Sequence, residues 1–195
     1  MKKKTINYFE SVSRWLTVAM SLLFMGILLF KNLIPVLISN EYLGSVRIMP
    51  FLLFYPIMYT LGITTELGLQ FKRKTNLSLI ISVIVLLMNV VLNLIFIPKL
   101  GAKGAALATG ISYISFFWIK TLISRRLWEQ FELNYYIKTT IILFICALLN
   151  TFVYAETLVF CINVFAVILL FLIFRDDIKK LLYIMRSKGG RKWRN

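Results

Sequence analysis

The sequence predicts an all-α protein, a polytopic membrane helical bundle of about six transmembrane helices with both termini cytoplasmic. Three observations predict it. Of the 195 residues, 59% are hydrophobic, and the mean hydropathy is +0.81, whereas soluble domains hold roughly 45–50% apolar residues. The apolar residues fall in blocks of about 17–25, the length that crosses ~30 Å of hydrocarbon at 1.5 Å per residue. Most of the charged residues fall in short segments outside those blocks.

The chain opens MKKKTINYFESVSRW, basic and then amphipathic. The first apolar block is long and lacks a small-residue cleavage site, so the first span is expected to stay in the mature protein. It runs from about Trp15 to Ile38, with Lys31, Asn32 and Pro35 near its end. The second, Ser45 to Gly68, contains Pro50 and Pro56 and is expected to bend, because proline removes a backbone donor. The third, Asn76 to Ile97, is broken only by serine and asparagine. A turn over Pro98, Lys99, Leu100 and Gly101 leads into the fourth, which ends near Ser124. The fifth, Ile137 to Tyr154, and the sixth, Leu158 to Phe174, form a hairpin with almost no connection. In residues 175–195, Leu181, Leu182, Ile184 and Met185 fit the apolar stripe of a short surface helix anchored to lipid.

The net charge of +15 would suggest nucleic acid in a soluble chain. Its placement between apolar blocks instead fits orientation and contact with anionic membrane lipids, and no nucleic-acid partner is expected. With the N-terminus inside, eighteen of the 23 Lys and Arg fall in cytoplasmic segments. Only Arg47, Lys99 and Lys103 lie in outer ones, and Lys31 and Lys120 sit within spans. Both termini are therefore expected in the cytoplasm.

Histidine is absent, which removes histidine-based zinc sites and acid–base triads. Cys146 and Cys161 lie inside spans without metal-ligand spacing. Asp176-Asp177 reads as a solvated charge pair at a helix end. GAKGAA lacks the spacing and preceding strand of a phosphate loop. No catalytic residue, metal or cofactor is expected, and the chain does not read as an enzyme.

Ionisable and amide side chains inside spans are costly unless they face a partner or a cavity. Arg47, at the outer end of the second span, reads first as snorkelling to the interface; the alternative is that it forms, with the similarly placed Lys31, a basic patch suited to an anionic substrate. Glu66 is expected to pair with the Lys72-Arg73-Lys74 cluster across the inner interface, slightly ahead of a role in ion coupling, and Lys120 to snorkel towards the inner surface. Asn89 and Asn93, four apart, share one helix face and either bond a neighbouring helix or line a pathway, the first being favoured. Lys31, Arg47, Glu66, Asn89 and Asn93 are thus the substrate-cavity candidates. In the fourth span, Gly101, Ala105, Ala108, Thr109 and Ser112 form one stripe of small residues, and Ala106 with Gly110 another, allowing close backbone approach.

The segment LNLIFIPKLGAKGAALATGISYI, Leu92 to Ile114, carries a more particular signal. An asparagine-bearing apolar helix is followed by Ile-Pro, a basic residue, a glycine and Gly-Ala-Ala-x-Ala-Thr opening the next helix. With Asn40-Glu41-Tyr42 and GLQFKRKT around the second span, it resembles the polysaccharide and O-antigen exporters of the multidrug, oligosaccharidyl-lipid and polysaccharide flippase superfamily. The likeness covers roughly Trp15 to Ser124 and weakens beyond.

The resemblance implies a flippase subunit or fragment. It would move polyprenyl-pyrophosphate-linked oligosaccharide across the bacterial cytoplasmic membrane for surface polysaccharide or lipopolysaccharide synthesis. Residues 1–124 would be the last four helices of the family's C-terminal lobe, with Pro98, Gly101, Gly104, Ala105 and Ala106 as the helix-packing turn. Residues 125–174 would be an additional helix pair, and residues 175–195 a basic cytoplasmic tail. The N-terminal lobe would come from a longer chain or another membrane subunit. The alternative is a non-transporting scaffold of a polysaccharide-synthesis complex.

Overall fold

The computed structural model describes residues 2–34, 40–127 and 132–189, with side chains described within 10–34, 44–66, 68–127 and 132–180. All regular structure among them is helical. Helix α1 (Lys2–Phe30) ends in a 3-10 turn, Lys31–Leu33, and a second 3-10 stretch, Asn40–Arg47, precedes α2 (Met49–Leu52). Then come α3 (Phe54–Thr65), α4 (Leu67–Phe71), α5 (Thr75–Leu100), α6 (Ala102–Leu127), α7 (Asn134–Phe152) and α8 (Glu156–Gly189).

Six stretches are long and apolar enough to cross a membrane: Glu10–Leu33, Met49–Phe71, Thr75–Leu100, Ala102–Leu127, Asn134–Phe152 and Glu156–Lys180. The chain is a multi-pass membrane protein. The expected end of the first span, Ile38, lies outside the described residues.

The second span is three helices in series, α2 to α4. Pro50 sits in the first turn of α2, where its missing N–H is no loss. Pro56 lies farther in, and a proline ring crowds the carbonyl four residues back, here that of Leu52. The helix breaks at Leu53, and the bond from Ile57 N–H to the Leu53 carbonyl stretches to 3.4 Å. A second break falls at Glu66, beyond which the Gly68 N–H donates to Ser124 Oγ at 3.1 Å.

Two expectations are corrected. Pro98, Lys99 and Leu100 remain in α5, and Gly101 alone reverses the chain, at φ +57° and ψ −135°. A proline near a helix end forfeits one hydrogen bond, too little to force a turn when glycine takes the strained conformation at once. The tail does not form a separate surface helix: α8 continues unbroken through residues 175–189. No glycine or proline interrupts it before Gly189, and Asp177 is not solvated but buried (7% exposed), beside Arg14 and Tyr135.

The helices pack as α5 on α6, α6 on α3, α3 on α1 and α1 on α8, with α7 against α1, α2 and α8. The core joins Phe24, Met25 and Leu28 of α1 with Phe51, Phe54 and Met58 of α2 and α3, and with Phe117, Leu143 and Leu170 of α6, α7 and α8. Small residues of α6 set the closest approaches. A Cβ at Gly104 would stand 2.3 Å from the Phe96 carbonyl oxygen of α5, and one at Gly110 would stand 2.8 Å from the Phe51 ring of α2. Ala106 is buried in the core, Ala105 is half-buried and Gly101 is exposed. Away from these contacts the surface is apolar, including Leu79, Val83, Leu87 and Leu94 of α5 and Phe165 and Leu172 of α8, as a hydrocarbon solvent requires.

Candidate functional site

A cleft of about 410 Å³ opens between α3, α5 and α6. Tyr59, Asn89 and Ser112, which line it, sit near the middle of the spans Met49–Phe71, Thr75–Leu100 and Ala102–Leu127. The cleft therefore lies at mid-membrane depth. Ser82, Thr109 and Tyr113 add polar groups, and Val85, Leu86 and Phe116 complete the wall.

Helical spacing builds each side. Ser82 and Asn89 lie seven residues apart on α5, and Thr109, Ser112 and Phe116 recur at three and four on α6, so each set shares one face. The side chains are tied down. Asn89 Nδ2 donates across the helices to Ser112 Oγ at 3.1 Å, and Asn93 Nδ2 donates to Asn89 Oδ1 and its backbone carbonyl at 3.0 and 2.9 Å. Asn89 thus makes the favoured bond to a neighbouring helix, and its side chain also lines the cleft. Asn93 supports Asn89.

The aromatic rim was not anticipated. Tyr55 and Tyr113 have ring centroids 4.6 Å apart, Tyr59 and Phe116 stack at 6.0 Å and 12°, and Tyr113 meets Phe116 edge-on at 6.2 Å. Tyr55 and Tyr59 remain 49% and 44% exposed. Their spacing of four on α3 was the available signal.

At the end of the bundle where α4 leads into α5, Glu66 forms an ion pair with Lys120 of α6 and accepts hydrogen bonds from Ser78 Oγ (2.9 Å) and Gln70 Nε2 (3.4 Å). Lys120 Nζ also lies 4.3 Å from the Phe116 ring centroid, linking the pair to the cleft wall. Two expectations fail here for one reason. Glu66 does not pair with Lys72, Arg73 and Lys74, which are exposed, and Lys120 does not snorkel, because it is buried against the carboxylate.

At the opposite end of the bundle the two expected patch cations are paired. Lys31 and Arg47 do come together, but on Glu156, at 3.4 and 2.9 Å. Arg47 Nη1 donates to the Val153 carbonyl at 3.0 Å, and its guanidinium stacks 4.1 Å from the Tyr154 ring centroid. Lys31 is 3% exposed, and its ammonium has no directed hydrogen bond. Both charges are thus engaged within the fold, remote in character from the neutral cleft. Beside them Lys103 Nζ meets the Tyr154 hydroxyl at 3.1 Å; that hydrogen bond and the lysine charge, aided by Arg47, hold the phenol below its ordinary range.

Elsewhere Asn150 and Asn163 exchange reciprocal amide bonds between α7 and α8 at 2.9 and 3.2 Å. Tyr136 donates to Ser13 at 2.9 Å, tying α7 to α1. Cys146 is buried and Cys161 exposed, both as free thiols.

The site is thus a neutral, aromatic-rimmed cleft between a buried ion pair at one end of the bundle and an arginine–lysine–glutamate cluster at the other. Comparison with protein-family models, curated proteins and solved structures gives no match.

Proposed function

We propose that the chain is a transport subunit of the polysaccharide-flippase type, carrying a lipid-linked oligosaccharide across the bacterial cytoplasmic membrane without catalysing a reaction. The observation that supports this is the depth of the cleft. The Tyr59 and Tyr113 phenols, which nothing among the described residues hydrogen-bonds, would stand unsatisfied in hydrocarbon at mid-membrane, which supports assigning this face to a wetted pathway closed by another helical body and the apolar faces to lipid. The charge distribution orients the bundle with the Glu66–Lys120 end and both termini inside. Exposed Lys72, Arg73 and Lys74 then meet anionic headgroups.

The test is photolabelling of native membranes with a photoreactive polyprenyl-pyrophosphate oligosaccharide, followed by peptide mapping. Label on α3, α5 and α6, displaced by unlabelled compound, is expected. Labelling that is absent or not displaced removes the transport reading.

One observation favours a scaffold instead. At 1.5 Å per residue, the 34 residues of α8 outrun the ~30 Å hydrocarbon layer and offer a basic docking arm. Truncation after Phe174 separates the two readings: a scaffold loses its partners in pull-down, whereas a transporter keeps export.

A further inference from the structure

The cleft differs from the site that an anionic substrate would call for, and the difference identifies what it binds. No Lys, Arg, Asp or Glu lines it. The nearest cation, Lys120, is held by Glu66, and Lys31 and Arg47 are held by Glu156. A phosphate placed in the cleft would meet no charged donor, although charge-assisted pairing is what makes phosphate binding strong. An acyl or prenyl chain would bury the Tyr59 and Tyr113 phenols without giving them a hydrogen-bond partner.

What the cleft offers is flat rings beside neutral acceptors. Tyr55, Tyr59, Tyr113 and Phe116 form a continuous ring array from α3 to α6. Among the described residues nothing hydrogen-bonds the hydroxyls of Tyr55, Tyr59 or Tyr113. The hydroxyls of Ser82, Thr109 and Ser112 donate to carbonyls of their own helices at 2.9, 2.9 and 2.7 Å. That fixes their protons inward and leaves the Ser82 and Thr109 oxygens as acceptors, while the buried Ser112 Oγ already accepts from Asn89 Nδ2. The Asn89 amide, braced by Asn93, stands beside them.

A pyranose ring carries weakly positive C–H groups on its flat faces and hydroxyl donors around its edge. An aromatic ring presents a negative face, so sugar and ring stack face to face while the edge hydroxyls reach Ser82, Thr109 and the tyrosine phenols. The volume lies within the ~300–1,000 Å³ of small-ligand sites. We infer that the cleft is a subsite for uncharged sugar rings, with Tyr59 and Tyr113 as its stacking platform, and that the phosphate of the carrier lipid is held outside it. This rests on the transport reading and names the part of the substrate that this face takes.

The experiment uses the full-length protein in the native cell. Surface polysaccharide and intracellular lipid-linked oligosaccharide are measured, normalised to the membrane abundance of the protein, for a deletion, for Tyr59→Leu/Tyr113→Leu and for Tyr59→Phe/Tyr113→Phe. Leucine keeps apolar bulk without a ring; phenylalanine keeps the ring without the hydroxyl. The deletion should abolish export, the leucine pair should lower it about tenfold as lipid-linked oligosaccharide accumulates, and the phenylalanine pair should stay within about twofold of wild type. If the leucine pair exports normally, or the phenylalanine pair falls as far, the stacking platform is wrong while the transport reading stands. If the deletion leaves surface polysaccharide unchanged, the transport reading fails and the subsite fails with it.

Discussion

Glu66 and Lys120, 54 positions apart, form an ion pair between the second and fourth spans, 9% and 5% exposed respectively. Ser78 of α5 binds the same carboxylate, so one acidic group ties together the three elements that enclose the cleft. Removing one member of a buried pair strands the other charge, which costs about 3–5 kcal/mol, whereas replacing both is often nearly neutral. Lys120→Met should therefore lower the thermal midpoint of the detergent-purified protein sharply, and Glu66→Gln/Lys120→Met should recover most of the loss. A single variant as stable as wild type would show that the pair does not hold these helices.

The crossing of α5 and α6 makes a sharper steric prediction. A methyl group at Gly104 would sit 2.3 Å from the Phe96 carbonyl oxygen, an atom of helix backbone with no rotamer to change. Gly104→Ala should cost at the upper end of the ~1–3 kcal/mol typical of overpacking. Gly101→Ala meets open space, but φ +57° with ψ −135° suits glycine alone, so it should cost about 1–3 kcal/mol through backbone strain. Thermal unfolding measures both losses, and a Gly104→Ala variant as stable as wild type would mean that the helices separate easily at this crossing.

Sequence reasoning reached what is local and missed what is tertiary. Blocks of apolar residues located all six spans, and Pro56 announced the bend at Leu53 because proline acts on its own helix. The helix ends were less legible. Pro98 reads as a turn but costs one bond near a terminus, and Asp176-Asp177 reads as solvated although Asp177 turns inward. The bond from Asn89 to a neighbouring helix was legible from its place within a span and its spacing of four from Asn93. Glu156, by contrast, lies 109 positions from Arg47 and resembles any loop acid until α1 and α8 pack together. The tyrosine rim was visible as Tyr55 and Tyr59 four apart, but only the approach of α6 shows that Tyr113 and Phe116 extend it.

Glu156 is the shared counter-ion of Lys31 and Arg47. Arg47 retains the Val153 carbonyl and the Tyr154 ring if the acid is lost, but Lys31 retains no directed hydrogen bond. Glu156→Gln should destabilise the protein by about 1–2 kcal/mol, a modest figure because the Glu156 side chain is 44% exposed and screened. Adding Lys31→Met should restore stability, whereas adding Arg47→Met should not. Equal rescue by both would place the strain on the arginine instead. Raising the salt concentration should narrow the gap between wild type and Glu156→Gln.

The last prediction concerns Tyr154, which lies between the fifth and sixth spans and is fully exposed. The hydrogen bond from Lys103 and its charge depress the phenol from the ordinary value of 10.0. Since the folded value is lowered, the favourable linkage appears as pH rises through it and is complete above the unfolded phenol value; it is lost as pH falls through the folded value. At neutral pH the phenol is protonated and contributes little by this route. Spectrophotometric titration of tyrosinate should reveal one phenol ionising ahead of the rest, absent from Tyr154→Phe and shifted upward in Lys103→Met. If Lys103→Met leaves the titration curve unchanged, the lysine is not the group that acidifies Tyr154, and the contact between the α5–α6 turn and the α7–α8 connection does not persist in the membrane-extracted protein.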